Sequence, residues 1–165
     1  MSLARDKAAI RLLYSEVINK GNLDALREIY HHDSEMNTSA IPEDPEPEYG
    51  FERLKPAFVK MRDAFPGLRA TIEDIFGEND RVVVRANFYG HVAGEPNTPE
   101  GKRLLWSSVD VFRMYGGKVA EQFGSQDNVQ LLRGAGVVPL EVTNPLSADA
   151  PSRRGIDAFS YEKSP

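Results

Sequence analysis

Two polar residues of one predicted β-hairpin, Asp110 and Gln122, are the strongest candidates for chemistry in this chain. Apolar-rich runs flank the pair Gly116 and Gly117, which is a strong short-range signal for a hairpin. Aspartate is depleted in strands and is rarely buried unless it is paired. Because side chains alternate between the two faces of a strand, the face that holds this aspartate carries Trp106, Ser108, Asp110 and Phe112.

The second strand of the hairpin decides whether these groups meet. Strict alternation places Ala120, Gln122 and Gly124 on one face, and Asp127 follows at the end of the strand. If Gln122 faces the same side as Asp110, the hairpin presents an acid and an amide in an aromatic-lined hollow. The alternative is that Asp110 lies on a solvated sheet face, because antiparallel sheets often expose one face to water.

A buried Asp110 is a candidate general base. Aspartate ordinarily titrates near 3.9, and burial between aromatic side chains raises its pKa toward the working pH. Gln122 could then donate its amide hydrogens to a developing enolate oxygen, and Ser108 could orient the substrate. Asp127 is predicted to cap a following helix or to contact substrate.

Other residues are candidates for the walls of a substrate pocket, with ordinary core packing as the alternative. Trp106 is the best of them, because it shares a strand face with Asp110. The remaining candidates, which come from helices and strands spread along the chain, are Tyr14, Asn37, Phe58, Met61, Phe88 and Phe112.

The order of predicted elements indicates the fold class. Helices are predicted over residues 3–19, 22–30 and 51–65, and a short strand over 35–39. Long strands follow over 69–76 and 81–92 and in the hairpin, and a last short helix is predicted over 129–132. We therefore predict an α+β fold in which a cone-shaped, curved, antiparallel or mixed sheet wraps around helices and encloses a pocket. Residues 1–137 form this domain, and 138–165 form an extended or disordered tail.

Composition limits the possible partners. The 165 residues carry a net charge of −5 without a basic block, which argues against nucleic acid. There are no cysteines, so thiolate chemistry and disulfides are excluded. No apolar run approaches the ~20 residues of a membrane span, so a cytoplasmic protein is expected. We expect no metal site, because His31, His32 and Asp33 are predicted to end a helix.

Several separated segments resemble one known family. They are NKGNLDALREIYHHD, AFPGLRATIEDIFGENDRVVVR, GHVAGE and WSSVDVFRMYGGKVAEQFGSQDNVQLLRGAG. In this order they resemble the SnoaL-like polyketide cyclases of the nuclear-transport-factor-two superfamily. The resemblance implies an enzyme without cofactors that cyclises or isomerises a polyketide-like or other polycyclic small molecule. It also implies a homodimer or homotetramer, with the outer face of Val109 and Val111 covered by another copy.

The resemblance also implies site residues one by one. The aspartate that acts as general base on the last strand of the aldol cyclases corresponds to Gly124 here. The assisting histidine of the preceding strand corresponds to Asp110, and a glutamine two residues before it corresponds to Ser108. Aspartates at the places of Asp110 and Asp127 occur in the broader family. An epoxide hydrolase or accessory hydroxylase, and a binding protein without catalysis, remain alternative functions.

Overall fold

The computed structural model describes residues 2–38, 48–49, 51–91 and 103–128. Helix α1 spans Leu3–Leu12 and continues as a π-helical segment, Leu13–Ile18. A 3₁₀ turn, Leu23–Ala25, leads into the short helix α2, Leu26–Ile29. Helix α3 spans Phe51–Ala64. The three helical regions predicted before the long strands are therefore confirmed, although the second is split into a turn and a short helix.

The strands of the described residues form one mixed sheet of six strands in the order β2-β1-β6-β5-β4-β3. Only β1 and β6 run parallel; the other neighbours are antiparallel. The sheet is open, with β2 at one edge and β3 at the other, and the α+β class is confirmed. In chain order the strands are β1 Tyr30–Thr38, β2 Glu48–Tyr49, β3 Arg69–Glu78, β4 Arg81–His91, β5 Arg103–Tyr115 and β6 Lys118–Gln126.

The first helix carries its apolar residues on one face, and this face packs into the core. Ile10 lies four residues before Tyr14, and the wider π-helical turn turns Leu13, Tyr14, Val17 and Ile18 all inward. π-Helical turns are rare and are frequently found at functional sites. Gly21 ends the helix in the left-handed conformation with φ 75°, which is common for a glycine just after a helix.

The hairpin of β5 and β6 is present as predicted. Gly116 and Gly117 both have positive φ, 60° and 83°, which is the backbone of the type I′ turn that Gly-Gly favours. Along β5 the buried residues alternate with more exposed ones, and Trp106 and Asp110 share the buried face. The prediction for Ala120 is wrong. A bulge between the pairs Arg113–Glu121 and Met114–Val119 adds one residue to β6, so Val119 and Gln122 both face inward while Ala120 is not buried.

The boundary after the second helix differs from the prediction. Tyr30 takes extended backbone angles, φ −107° and ψ 149°, and begins β1. The cause is long-range pairing, because Tyr30 aligns with Val119 of the parallel strand β6. His31, His32 and Asp33 therefore lie in a strand and not at a helix end.

One contiguous core lies between the helices and the inner face of the sheet. Its largest fully buried side chains include Trp106, Tyr30, Phe112 and Leu26. Within the described part of the chain, no helix combines the length and the apolarity that crossing a membrane requires. The predicted helix over 129–132 and the tail over 138–165 lie outside the described residues.

The outer face of the sheet exposes several large apolar side chains. Leu105 and Val109 of β5 are 45% and 47% exposed, and Phe123 of β6 is 40% exposed. Val111 aligns with Phe123 across the strand pair, so these side chains belong to one patch. We propose that a second copy of this chain covers the patch, because exposed apolar patches mark interaction sites and most soluble oligomers are two-fold dimers that pair the same patch of each subunit.

Replacing Val109 by lysine tests this assembly. We expect the wild-type protein to scatter light at a mass of at least twice 18.4 kDa, and Val109→Lys to shift the mass toward the monomer, since a charge at the centre of a packed apolar interface is unpaired. Val59→Lys, which changes a similarly exposed valine of α3, is the matched control and should leave the mass unchanged. A monomeric wild-type protein at micromolar concentration would refute the proposal.

Candidate active site

The carboxylate of Asp110 is the centre of the site. The side chain is 8% exposed and accepts three hydrogen bonds from neutral donors. Ser108 Oγ donates to Oδ2 at 2.9 Å, and the hydroxyl of Tyr14 donates to the same oxygen at 3.3 Å. Gln122 Nε2 donates to Oδ1 at 3.1 Å. Both carboxylate oxygens are therefore held by groups from three elements: the π-helical segment, β5 and β6.

A second layer of contacts fixes Gln122. The hydroxyl of Tyr30 donates to Gln122 Oε1 at 2.6 Å. The amide thus receives a hydrogen bond on its oxygen and gives one from its nitrogen to Asp110. The expectation that Asp110 and Gln122 face the same interior is confirmed by this contact. The amide of Gln122 therefore orients the candidate base. The sequence analysis had predicted a contact of this amide with substrate.

Burial sets the protonation of these groups. Removal from water raises the pKa of Asp110 above its usual 3.8, and the hydrogen bonds from Ser108, Gln122 and Tyr14 partly oppose this rise. Burial also raises the pKa of Tyr14 well above its ordinary value, and the negative charge of Asp110 adds to the rise. The same two causes raise the pKa of Tyr30. Both phenols therefore stay protonated at neutral pH and act as hydrogen-bond donors.

A row of aromatic rings adjoins the site. Trp106 stacks on Phe88 with ring centroids 5.5 Å apart and lies 4.8 Å from Phe65. Phe88 in turn lies 6.2 Å from Tyr14, whose hydroxyl reaches Asp110. Trp106 is 2% exposed, and its indole Nε1 has no hydrogen-bond partner among the described residues. The row contains three of the predicted wall residues, Trp106, Phe88 and Tyr14, and Tyr14 contacts the carboxylate.

The other predicted site residues take different positions. Phe112 is fully buried and aligns with Gln122 across the strand pair. Phe58 and Met61 are partly buried on α3 and pack against the core. Asn37 lies in β1 and aligns with Phe123, but its side chain is outside the described part of the structure.

Asp127 lies at the surface. It is exposed after the end of β6, and its backbone N–H donates to the carbonyl of Ser107 at 2.9 Å. The helix that it is predicted to cap lies outside the described residues.

Tyr30, Asp6 and Ser34 are buried residues with polar side-chain atoms that the sequence analysis missed. Tyr30 was assigned to a helix, so its position beside β6 was not foreseen. Asp6 of α1 is 2% exposed, and its Oδ1 has no hydrogen-bond partner among the described residues. A signal was present for Asp6, because it precedes Ile10 by four residues and so lies on the apolar face of the helix.

One group of side chains has donor atoms suitable for a metal. His31, His32 and Asp33 each offer one ligand atom, all within 4.8 Å of one another. His32 and Asp33 are exposed, and a ring nitrogen of His31, Nε2, lies 3.1 Å from the carbonyl oxygen of Tyr115. This group is on the surface, whereas Asp110 is buried. The absence of a metal site stays a prediction.

The fold and the site together define an α+β protein in which helices cover one face of a mixed sheet and a buried carboxylate lies on a central strand. The sequence identifies the family: the model for the SnoaL-like polyketide cyclases matches residues 8–134. The chain therefore belongs to the SnoaL-like polyketide cyclase family, and the resemblance seen in the sequence is confirmed. No curated protein matches the sequence.

Solved structures agree with this assignment. TsrD from Streptomyces laurentii is 22% identical, with a TM-score of 0.70, and the match covers 84% of this chain and 99% of TsrD. IdmH from Streptomyces antibioticus, a candidate polyketide cyclase, is 27% identical with a TM-score of 0.68 over 80% of this chain and 99% of its own. AclR from Streptomyces galilaeus, a candidate hydroxylase, is 24% identical with a TM-score of 0.69 over 84% of this chain and 100% of its own.

The raised pKa of Asp110 has a consequence for stability. Between 3.8 and its raised pKa, the folded state holds the proton of Asp110 more tightly than the unfolded state does. Ionisation of Asp110 therefore lowers the free energy of unfolding as pH rises through the folded-state pKa. We expect the melting temperature of Asp110→Asn minus that of the wild type to increase from acidic to neutral pH. A difference that stays constant with pH would contradict this expectation, because removal of hydrogen bonds alone is independent of pH.

Proposed function

We propose that this protein is an enzyme without cofactors that cyclises or isomerises a polyketide-like or other polycyclic small molecule by proton transfer. One observation carries the proposal. Asp110 is a buried carboxylate, surrounded by three neutral hydrogen-bond donors, with its pKa raised by burial. Membership of the SnoaL-like polyketide cyclase family supports the class of substrate.

Asp110 is the general base in this proposal. Its carboxylate removes a proton from a carbon next to a carbonyl group, so that a C–H bond breaks, an O–H bond forms and the substrate becomes an enolate. In an isomerisation the proton returns to a different carbon. In a ring closure the enolate carbon attacks a second carbonyl of the same molecule, and the resulting alkoxide takes up the proton. Either sequence conserves electrons and needs no oxidant.

Tyr14 is the group best suited to stabilise the enolate oxygen. Its hydroxyl is protonated at neutral pH, because burial and the charge of Asp110 raise its pKa. Its bond to Asp110 is the longest of the three, 3.3 Å against 2.9 Å for Ser108 and 3.1 Å for Gln122. When the substrate oxygen gains negative charge and Asp110 takes up a proton, the hydroxyl of Tyr14 can turn from the carboxyl to the oxygen.

Hydrolysis has less support from the geometry than proton transfer. Hydrolysis would be favoured by a second acid or a histidine opposite Asp110. The residues aligned with Asp110 on the two neighbouring strands are Val84 of β4 and Gly124 of β6, neither of which is ionisable. A Mycobacterium tuberculosis epoxide hydrolase is similar at 12% identity with a TM-score of 0.62, which is a likeness of fold. Binding without catalysis is the remaining alternative, and the variants below separate it from catalysis.

Asp110→Asn tests the base directly. The change keeps the size of the side chain and removes the basic oxygen, so turnover should fall at least about a hundredfold while ligand binding persists, since general bases contribute roughly 10²–10⁴ in rate. The measurement is single-turnover kinetics on the authentic substrate, identified by mass spectrometry of co-purified ligand. Asp6→Asn, at the other buried aspartate, is the matched control and should keep most of the activity. Full activity of Asp110→Asn would show that Asp110 is not the base, whereas ligand binding without turnover by the wild type would show a binding protein without catalysis.

Tyr14→Phe and Gln122→Ala separate the two roles. Tyr14→Phe should lower kcat about ten- to a hundredfold, because it removes the enolate's donor. It should move the acid limb of the pH profile less than Gln122→Ala does, because the Tyr14 hydrogen bond lowers the pKa of Asp110 less than the Gln122 hydrogen bond does. Gln122→Ala should also lower kcat, about ten- to a hundredfold, and move the acid limb to higher pH, because Asp110 loses a hydrogen bond that favours its charged form. Equal profiles for the two variants would contradict the division of roles. Gly124→Asp should not increase the native activity.

A further inference from the structure

Tyr30 occupies an unusual place for a hydroxyl group. It directly follows the last residue of α2, Ile29, and it is the first residue of β1. It is 1% exposed. Its backbone aligns with Val119 of β6, and its side chain reaches Gln122 further along the same strand. The phenol therefore spans from the edge of α2 to the amide that contacts Asp110, with an O–Oε1 distance of 2.6 Å.

The direction of the hydrogen bonds fixes the amide of Gln122. The Tyr30 hydroxyl is protonated, since burial raises its pKa, and it donates to Oε1. With its oxygen turned toward Tyr30, the amide presents Nε2 to Asp110 Oδ1. An ionised carboxylate accepts this hydrogen bond from Nε2. An amide oxygen in the same place would be repelled by the negative charge of the carboxylate.

We propose that Tyr30 is a positioning residue: its hydroxyl holds the amide of Gln122 with Nε2 toward Asp110 in both protonation states of that carboxyl. The proposal deepens the proposed function, in which Asp110 is the base. During catalysis Asp110 gains a proton, and an unrestrained amide would then gain by reversing, because its oxygen could accept the new carboxyl proton. Tyr30 opposes that reversal, because a reversed amide would turn Nε2 toward Tyr30 and leave the buried Tyr30 hydroxyl proton without its acceptor, Oε1.

The reversal matters because it would trap the proton. A carboxyl that donates to Gln122 Oε1 is a weaker acid than one that keeps an N–H donor, so the return of the proton to the product would slow. By preventing the reversal, Tyr30 keeps Asp110 ready to accept and release a proton in turn. The terminal torsion of glutamine is broad and two-fold, so the amide itself offers little resistance.

Few other groups can affect the charge of Asp110. The titratable groups that face it are Tyr14, from the π-helical segment, and Tyr30, whose ring contributes through Gln122. On β5 its neighbour is Ser108, on β4 the aligned residue is Val84, and on β6 it is Gly124. The described residues place no cation in hydrogen-bond contact with the carboxylate, so a change at Tyr30 should be visible in its titration.

Tyr30→Phe tests the proposal without substrate. The variant keeps the buried ring and removes only the hydroxyl. The readout is the pKa of Asp110 from carbon NMR of aspartate carboxyls, with the resonance assigned by its loss in Asp110→Asn. We expect the pKa to rise by roughly one unit, the scale of one oriented hydrogen bond to a carboxylate. Tyr115→Phe, at an exposed tyrosine of β5, is the matched control and should not move it.

A double-mutant cycle shows whether Tyr30 acts through Gln122. Gln122→Ala alone should raise the pKa of Asp110, and adding Tyr30→Phe to that variant should raise it no further, because the amide is gone. An unchanged pKa in Tyr30→Phe, or an equal rise in the presence and absence of Gln122, would overturn the proposal. A purely structural role of the hydroxyl would lower stability without this dependence on Gln122.

The side-chain amide of Gln122 gives a further test that uses the wild-type protein and needs no variant. Its two Nε2 protons should keep one resolved pair of NMR signals on both sides of the Asp110 titration; a second pair on the acidic side would show reversal and overturn the proposal. With substrate, Tyr30→Phe should also move the acid limb of kcat/KM to higher pH. The proposed function fails if Asp110→Asn keeps full activity. The titrations above are made without turnover, so their result is distinct from that failure.

Discussion

The buried carboxylate of Asp110 is the constraint on which the site depends. A charge removed from water is costly unless hydrogen bonds compensate for its lost hydration. Here the compensation comes from Ser108, Tyr14 and Gln122, and each lies on a different element: β5, the π-helical segment and β6. The hairpin register, the shape of the first helix and the pairing of β1 with β6 must all be correct before the carboxylate is satisfied. Each of these features therefore stabilises the ionised form of the group that the proposed chemistry uses.

Local irregularities of the fold occur next to this carboxylate. The π-helical segment, Leu13–Ile18, turns Tyr14 inward together with its apolar neighbours. The bulge in β6 brings both Val119 and Gln122 to the inner face, which regular alternation forbids for residues three apart. β1 changes register after Tyr30, at the residue that contacts Gln122. Departures from regular geometry that bring polar groups together fit a functional site better than a purely structural core.

Sequence reasoning succeeded where local pattern decides the structure and failed where distant pairing does. Alternation along β5 identified the buried face of Asp110, because this strand is regular and Gly116 and Gly117 fix the turn. The role of Tyr30 escaped it, because the contact with Gln122 joins residues 92 apart and its strand begins only through pairing with β6. The bulge also escaped it, since nothing in residues 118–126 marks the extra residue. The phenol of Tyr14 was predicted as an apolar wall, because periodicity shows which face is buried and not which polar atoms meet there.

In the proposed function, Asp110 supplies the acid that is absent at Gly124. The resemblance implies that aldol cyclases of the family carry their base on the last strand, at the place of Gly124. Gly124 and Asp110 are aligned partners on adjacent strands, and the Cβ positions of such partners lie about 4.5–5.5 Å apart. An acid moved from β6 to β5 at this pair therefore stays on the same face and reaches the same part of the interior. The donors around it are all neutral, so no cation lowers its pKa and burial keeps it raised, which suits a base more than a fixed counter-ion. The carboxylate of Asp110 therefore extends from β5 toward the place where the family resemblance implies an acid on β6. Its hydrogen-bond partners are Ser108, Tyr14 and Gln122.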